Sequence, residues 1–327
     1  MKYRILGKTG FEISEISLGT WQLGGKWGTE FDDQNAETIL NEAIDAGINF
    51  IDTADVYGDR LSEAAIGRVL KKRNERIYVA TKCGRRINPH INKNYTPEVL
   101  RKFGEESLQN MQLETLDLVQ LHCPPTEVYY RPEIFEMFDK LKDEGKILNL
   151  GVSVEKVEEG LKAIEYQNVT TVQIIFNMFR HRPAALFFEQ AAKKDVGIIV
   201  RVPLASGLLT GKFTKDTSFG KHDHRFFNRH GMAFDKGETF SGVPYNIGVD
   251  AVDELKKAFG TDELAPWALK WILQFKEVSC VIPGASKVEQ LKSNLSVEDL
   301  PDITPEQHEK VIDIYRKYIY GHVHHVW

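Results

Sequence analysis

The sequence predicts an α/β chain of eight parallel strands, each followed by a helix, closed into a (β/α)8 TIM barrel. Three observations carry this reading. Short apolar, β-branched runs alternate with longer segments whose apolar residues recur at helical spacing. Most strand ends follow one another at intervals of about 30 residues, the length of one βαβ unit. Runs such as 116–121 and 197–200 are apolar almost throughout, as strands covered on both faces must be. Eight such units close into a barrel more readily than they lie in an open sheet.

The strands are read at 16–20, 48–52, 77–82, 116–122, 148–153, 171–175, 197–202 and 278–282. The first helix, 33–46, collects Ile39, Ala43 and Ala46 on one face and stops at Gly47. Helices at 62–72, 97–111, 132–144, 155–165 and 183–194 fill the next intervals. Several begin at or near a proline, whose fixed φ suits a first turn. Between strands seven and eight the rhythm breaks. The polar, aromatic-rich segment 213–246 reads as a long loop, followed by helices at 249–259 and 263–275. A C-terminal extra helix, 305–318, is expected outside the barrel. No second core follows the loop, so residues 1–327 form one domain.

Composition narrows the function. The chain has 327 residues, with 42 Lys+Arg against 47 Asp+Glu and a formal net charge of -5. A hydrophobic content of 42% supports a buried core and excludes a disordered chain. The mild acidic excess fits no general nucleic-acid binder. No stretch reaches the ~18 consecutive apolar residues of a membrane span. The richest, 196–209, is broken by Arg201 and Pro203. The basic start lacks the apolar segment of a secretory leader, and three cysteines suit a reducing compartment. A cytoplasmic protein that binds neither nucleic acid nor membrane is expected. Nothing in the pattern specifies an oligomeric state.

Polar residues are concentrated in one place. Asp52, Lys82, His122, Ser153 and Gln173 each lie at or near the C-terminal end of a predicted strand, and in a barrel those ends share one mouth. Asp52 and Lys82, of opposite charge on consecutive strands, can pair there. Such a pair can be purely structural, but Tyr57, five residues beyond Asp52, can fold back over it. A free tyrosine has a pKa of about 10. A neighbouring ammonium is expected to lower it and ease proton donation. His122 can hydrogen-bond a substrate oxygen, although a lone histidine there is more often a satisfied core residue.

Two loops can cradle phosphate. Pro203-Leu204-Ala205-Ser206-Gly207-Leu208 runs on to Lys212, and Pro283-Gly284-Ala285-Ser286-Lys287 opens a helix. They follow strands seven and eight, where barrels often bind phosphate; Lys212 and Arg225 add positive charge. Ordinary turn chemistry explains either loop alone. The first is not a P-loop, and no GxGxxG follows an early strand. Cys83 and Cys123 are expected to alternate away from Lys82 and His122 into the helix layer. The histidines at 222, 224 and 230, and those of the tail, lack the spacing of a structural zinc site, so no metal is expected. Trp21, Trp27, Tyr129 and Tyr130 are candidates for an aromatic pocket wall.

Seven segments in order resemble the aldo-keto reductases over nearly the whole chain. They are Leu18-Gly-Thr-Trp21, Asn49-Phe-Ile-Asp-Thr-Ala-Asp-Val-Tyr-Gly58, Thr81-Lys82, Asp117-Leu-Val-Gln-Leu-His122, Gly151-Val-Ser153, Pro203-Leu-Ala-Ser-Gly207 and Ile282-Pro-Gly-Ala-Ser286 with its extension to Asn294. Lys82-Cys83-Gly84 is similar to a bacterial branch. The resemblance implies NAD(P)H-dependent reduction of an aldehyde or ketone, or the reverse oxidation of an alcohol. Tyr57 would be the general acid, Lys82 its modulator, Asp52 the partner of Lys82, and His122 the group that orients the carbonyl. Thr20, Trp21, Asp52, Ser153, Gln173 and Arg201 would lie near the nicotinamide. Pro203, Leu204, Ala205, Ser206, Gly207, Leu208 and Lys212 would follow the pyrophosphate, and Arg225, Gly284, Ala285, Ser286, Gln290 and Asn294 the adenosine end. NADP is the implied cofactor, with NADPH preferred over NADH because of the basic residues there.

Two positions depart from the family pattern. Val154 stands where many members carry an asparagine, and Arg201 stands where many place an aromatic against the nicotinamide. Two other functions stay open: a nucleotide-binding regulatory or sensor protein with slow turnover, and a lyase forming a Schiff base on Lys82.

Overall fold

The computed structural model of the chain describes residues 1–25 and 30–327. A short antiparallel hairpin, β1 (Tyr3–Ile5) and β2 (Glu12–Ser14), comes first. The parallel strands follow as β3 (Leu18–Gly19), β4 (Phe50–Asp52), β5 (Tyr78–Cys83), β6 (Leu116–His122), β7 (Ile147–Ser153), β8 (Val169–Ile175), β9 (Gly197–Arg201) and β10 (Val278–Val281). Each is bonded to the next in chain order. Backbone bonds join the two ends: Ser17 N–H donates to Val281 O, Val281 N–H to Glu15 O, and Gly19 N–H to Pro283 O. The ring of eight is therefore closed, as a (β/α)8 barrel.

Between the strands run α1 (Asp33–Asp45), α2 (Leu61–Leu70), α3 (Pro97–Met111), α4 (Pro132–Asp143), α5 (Val157–Ala163) and α6 (Phe187–Lys193). Asp32 and Thr96 cap α1 and α3 by accepting from Asn35 N and Val99 N, and Pro97 and Pro132 open their helices. The long segment after β9 is less irregular than its composition suggests. It holds α7 (His224–Phe227) and short 3-10 turns before α8 (Tyr245–Phe259) and α9 (Ala265–Leu273). The helix after β10 is α10 (Val288–Leu295). The expected tail helix stops at Ile314 as α11 (Pro305–Ile314), passes through a π turn at Tyr315–Ile319, and ends in α12 (Tyr320–Val323). Among the described residues, no helix is long and apolar enough to cross a membrane.

Two apolar layers result. The larger fills the space between strands and helices. The smaller lies inside the barrel and contains Leu6, Ile13, Phe50, Ala80, Leu118, Ile199, Cys280 and Ile282. Leu6 and Ile13 come from the first fourteen residues, and Phe11 stacks on Tyr78 with ring centroids 4.3 Å apart. The β1–β2 hairpin thus plugs the end of the barrel where the strands begin. No hairpin was expected there, because its strands are three residues long and show little alternation.

Alternation along the strands places the next inward layer. Two residues after Phe50, Ala80 and Leu118 come Asp52, Lys82 and Gln120. The barrel interior therefore changes from apolar at the plugged end to polar at the other. Space for Gln120 exists because β7 carries glycine at 151. A Cβ there would meet Thr171 Oγ1 at 2.2 Å and Gln120 Cγ at 3.1 Å.

The plug has a testable energetic role. Leu6 is fully buried, so Leu6→Ala should cost about 2–5 kcal/mol through lost burial and the cavity left behind. Urea unfolding of the variant should show a lower midpoint with an unchanged slope.

Candidate active site

Asp52 and Lys82 meet inside the polar layer. Lys82 Nζ donates to Asp52 Oδ2 at 2.5 Å, to Thr53 O at 2.8 Å and to Tyr57 Oη at 3.2 Å. All three ammonium protons thus have acceptors. The second Asp52 oxygen accepts from Gln173 Nε2 at 2.7 Å and Gln120 Nε2 at 3.0 Å. Gln173 also donates to Gln120 Oε1 at 3.2 Å. Every member except Tyr57 is almost fully buried, and a buried charge is tolerable only when satisfied in this way. Gln173, expected beside a nicotinamide, has its amide nitrogen turned to Asp52. Gln120 was missed: a single glutamine in the apolar β6 run gave no signal beyond its register with Lys82.

The charge states follow from these contacts. Burial works against the Lys82 ammonium, but Asp52 and Tyr57 more than offset it and hold its pKa above the ordinary value. Tyr57 departs from expectation. Lys82 does pull its pKa down, yet burial pushes it up by more, so the phenol lies above its usual value. Tyr57 therefore keeps its proton at neutral pH. His122 is buried, with its ring edge-on to Tyr57 at 6.1 Å between centroids. Burial, then Arg85, Lys82 and Arg201, depress its pKa well below the usual value. The imidazole is neutral, and its Nδ1 has no partner among the described residues.

Thr20 and Ser153 brace this centre. Thr20 Oγ1 donates to Asp52 O at 3.0 Å and accepts from Ser62 Oγ at 2.9 Å. Ser153, beside His122 in the sheet register, lies 3.5 Å from the Cys123 sulfur. That contact corrects one expectation. Cys123 does not turn into the helix layer: its φ of +46° breaks the strand alternation, and its sulfur lies at the mouth, 3.5 Å from Arg201 Nη2. Burial raises its thiol pKa far above the usual value, so it is inert. Cys83 does face the helix layer, as expected.

Arg201 belongs to a network that sequence reading did not find. Its Nη2 donates to Val154 O at 2.9 Å and Glu155 Oε2 at 3.0 Å. Arg85 Nη2 donates to Glu238 Oε1 at 2.8 Å. Residues 85, 155, 201 and 238 come from four separate loops or strand ends, so no spacing reveals them. The ligand atoms of Cys123, Glu155 and Glu238 lie within 4.8 Å of one another, as a metal would need. The two guanidiniums already answer those carboxylates.

The phosphate-side residues are folded as two adjoining loops. Ala205, Ser206 and Gly207 have φ of +47°, +56° and +98°, a run of left-handed backbone that holds the β9 loop in a tight curl. Ser206 Oγ bonds Glu238 O and Phe240 N, each at 3.1 Å. Arg225 reaches this loop: Nη1 lies 3.6 Å from where a Cβ on Gly207 would be. Its charge is answered by Asp223 through two bonds of 2.9 and 2.6 Å. Pro203 and Leu208 are buried, Leu204 is half-buried, and Lys212 is exposed. On the other loop Gln290 Oε1 accepts from Ser286 N and Oγ, and Asn294 donates to Gly284 O at 3.4 Å. Ala285 is buried beneath it and Gly284 is exposed. Trp21 packs against His224, ring centroids 4.5 Å apart, so the long loop reaches across the mouth. Tyr129 is core, bonded to Ser153 O, and Tyr130 is exposed. Trp27 lies outside the described residues.

A profile of the aldo/keto reductase family matches residues 15–316, and the chain belongs to that family. Oxidoreductases are among its relatives. It is 28% identical to the NADH-specific methylglyoxal reductase of Escherichia coli, over 90% of this chain and 93% of that protein. The structure of a glycerol dehydrogenase from Gluconobacter oxydans superposes with a TM-score of 0.78 at 30% identity, covering 97% of this chain and 96% of that one. A probable voltage-gated potassium channel subunit beta of Arabidopsis thaliana is 26% identical over 93% of this chain and 94% of that protein.

Behind the Tyr57 loop, Asp55 is buried, and among the described residues neither of its oxygens is hydrogen-bonded. Arg86 is 3.7 Å away. Burial, then Glu63, push its pKa up to about 7. Below the ordinary carboxylate range both states hold the proton and nothing is lost. As pH rises towards 7, the unfolded chain ionises first and stability falls, on the order of 2–4 kcal/mol in all. Asp55→Asn should therefore be the more stable protein at pH 8, with the gap closing near pH 4 in urea titrations.

Proposed function

We propose that the chain is an NAD(P)H-dependent carbonyl reductase of the cytoplasm, reducing a small aldehyde or ketone and, in reverse, oxidising the alcohol. The observation that carries the reading is the Lys82 ammonium, held between the Asp52 carboxylate and the Tyr57 hydroxyl. That arrangement sets a protonated phenol beside a fixed positive charge at the barrel mouth. His122, neutral, hydrogen-bonds the carbonyl oxygen through its ring N–H and polarises it. Tyr57 then gives its proton to that oxygen as negative charge develops on it. Lys82 stabilises the phenolate left behind, and Asp52 keeps Lys82 in place.

The residues present fit a nicotinamide dinucleotide. Gly284 is exposed, and a Cβ on it would meet nothing nearer than 3.6 Å. The curled 205–207 loop and the nearby Arg225 offer backbone and charge to phosphate. Thr20, Trp21, Ser153, Gln173 and Arg201 would hold the nicotinamide end, Thr20 and Gln173 by way of Asp52. Pro203, Leu204, Ala205, Ser206, Gly207, Leu208 and Lys212 would follow the pyrophosphate. Arg225, Gly284, Ala285, Ser286, Gln290 and Asn294 would take the adenosine end. The bound nicotinamide supplies the hydride. NADPH preference rests on Lys212 and Arg225, and requires Arg225 to share itself between Asp223 and a phosphate.

The potassium channel relative favours a second reading, a nucleotide-binding regulatory protein that turns over slowly. The Schiff-base lyase is disfavoured, since a fully bonded, protonated Lys82 is no nucleophile. The test is oxidation of NADPH and NADH by an aldehyde panel, in wild type and Tyr57→Phe. Wild type should turn over, and the variant should lose about 100-fold or more of its rate while binding nucleotide as before. Binding without turnover by either protein would establish the regulatory reading. Because Tyr57 titrates above its ordinary value, loss of the reductive rate through its ionisation should set in only above the usual tyrosine pKa of about 10.

A further inference from the structure

Four charged side chains at the mouth take no part in the Tyr57 proton transfer, although Arg201 among them also borders the proposed nicotinamide end. Arg85 follows β5, Glu155 follows β7, Arg201 ends β9, and Glu238 belongs to the long loop. Glu238 bridges the two guanidiniums: Oε1 is 2.8 Å from Arg85 Nη2, and Oε2 is 3.7 Å from Arg201 Nη1. Glu155 also touches both, at 3.0 Å from Arg201 and 3.7 Å from Arg85. Arg201 is nine-tenths buried, and its Nε has no partner among the described residues. Both guanidiniums bear electrostatically on His122, whose Nδ1 is also unpartnered.

Resting on the carbonyl-reductase reading, we propose that Arg85 and Arg201 recognise an anionic group on the substrate, a carboxylate or phosphate carried by the aldehyde or ketone. Glu238 holds that place until substrate arrives. The guanidinium fork matches both oxyanions, and a carboxylate bridging two guanidiniums is the contact such a ligand would make. Glu238 comes from a loop that crosses the mouth, whereas its partners stand on or beside barrel strands. An anionic substrate can therefore replace it ion for ion. A neutral substrate cannot, because displacing Glu238 would leave two largely buried cations facing only Glu155, whose carboxyl is biased by burial towards its neutral form. Burial and the nearness of Glu238 favour the protonated form of Glu155, which leaves Glu238 as the main counter-ion to both cations.

The test compares matched substrates on one preparation, so that any misfolded fraction cancels. Succinic semialdehyde is set against butanal, and glyceraldehyde 3-phosphate against glyceraldehyde, with NADPH or NADH. In wild type, kcat/KM for at least one anionic member should exceed its neutral partner about 10-fold or more. Which pair shows the preference distinguishes carboxylate from phosphate. Arg85→Gln should bring that ratio close to one. Glu238→Gln should raise it by lowering KM for the anionic member alone, which a purely structural network would not do. Ratios near one in wild type, or a ratio untouched by Arg85→Gln and Glu238→Gln, overturn the proposal. If no carbonyl is reduced, the reductase reading fails by itself, and calorimetric titration with succinate and with inorganic phosphate decides the site. Heat of binding in wild type that Arg85→Gln loses supports it; no heat overturns it.

Discussion

The ion pair of Asp52 and Lys82 is the constraint around which the mouth of this barrel is arranged. Two opposite charges taken out of water repay their desolvation only when every remaining donor and acceptor is met. Here Thr53 O and Tyr57 Oη complete Lys82, while Gln120 and Gln173 complete Asp52. Five strands or loops are thereby tied to one point. The same bonds that make the pair tolerable also fix the phenol of Tyr57 beside a permanent cation. Structural necessity and the proposed chemistry rest on one set of contacts.

Around that pair the barrel is divided by depth. Below it the interior is filled by apolar side chains and by Leu6 and Ile13 of the hairpin. Above it lie His122, the guanidiniums and the loop residues that meet them. The plugged end gives up interior volume for stability. The open end keeps polar groups whose pKa values are displaced by burial and by one another, the usual signature of a working site.

What was readable from sequence follows from local rules. Strand and helix periods located all eight strands, and the position of Asp52, Lys82 and His122 at the C-terminal ends of those strands placed them together at one mouth. The unread parts depend on contacts between distant segments. Gln120 matters only through Asp52, and Glu238 only through Arg85 and Arg201, none of them sequence neighbours. Cys123 was misplaced because alternation assumes a regular strand, and a single left-handed residue ends one. The direction of the Tyr57 shift was missed for a different reason: a nearby ammonium can be guessed from spacing, whereas the depth of burial opposing it cannot.

Gly151 shows how far such dependence reaches. It touches no reacting group and lies at the middle of a strand, yet its missing side chain is the volume in which Gln120 crosses to Asp52. A methyl group added there would meet the Thr171 hydroxyl first and the Gln120 side chain next, and through that amide it would reach the Asp52 carboxylate and the ammonium bonded to it. Variation at that position would be scored in an activity screen as damage to chemistry, although what it removes is empty space.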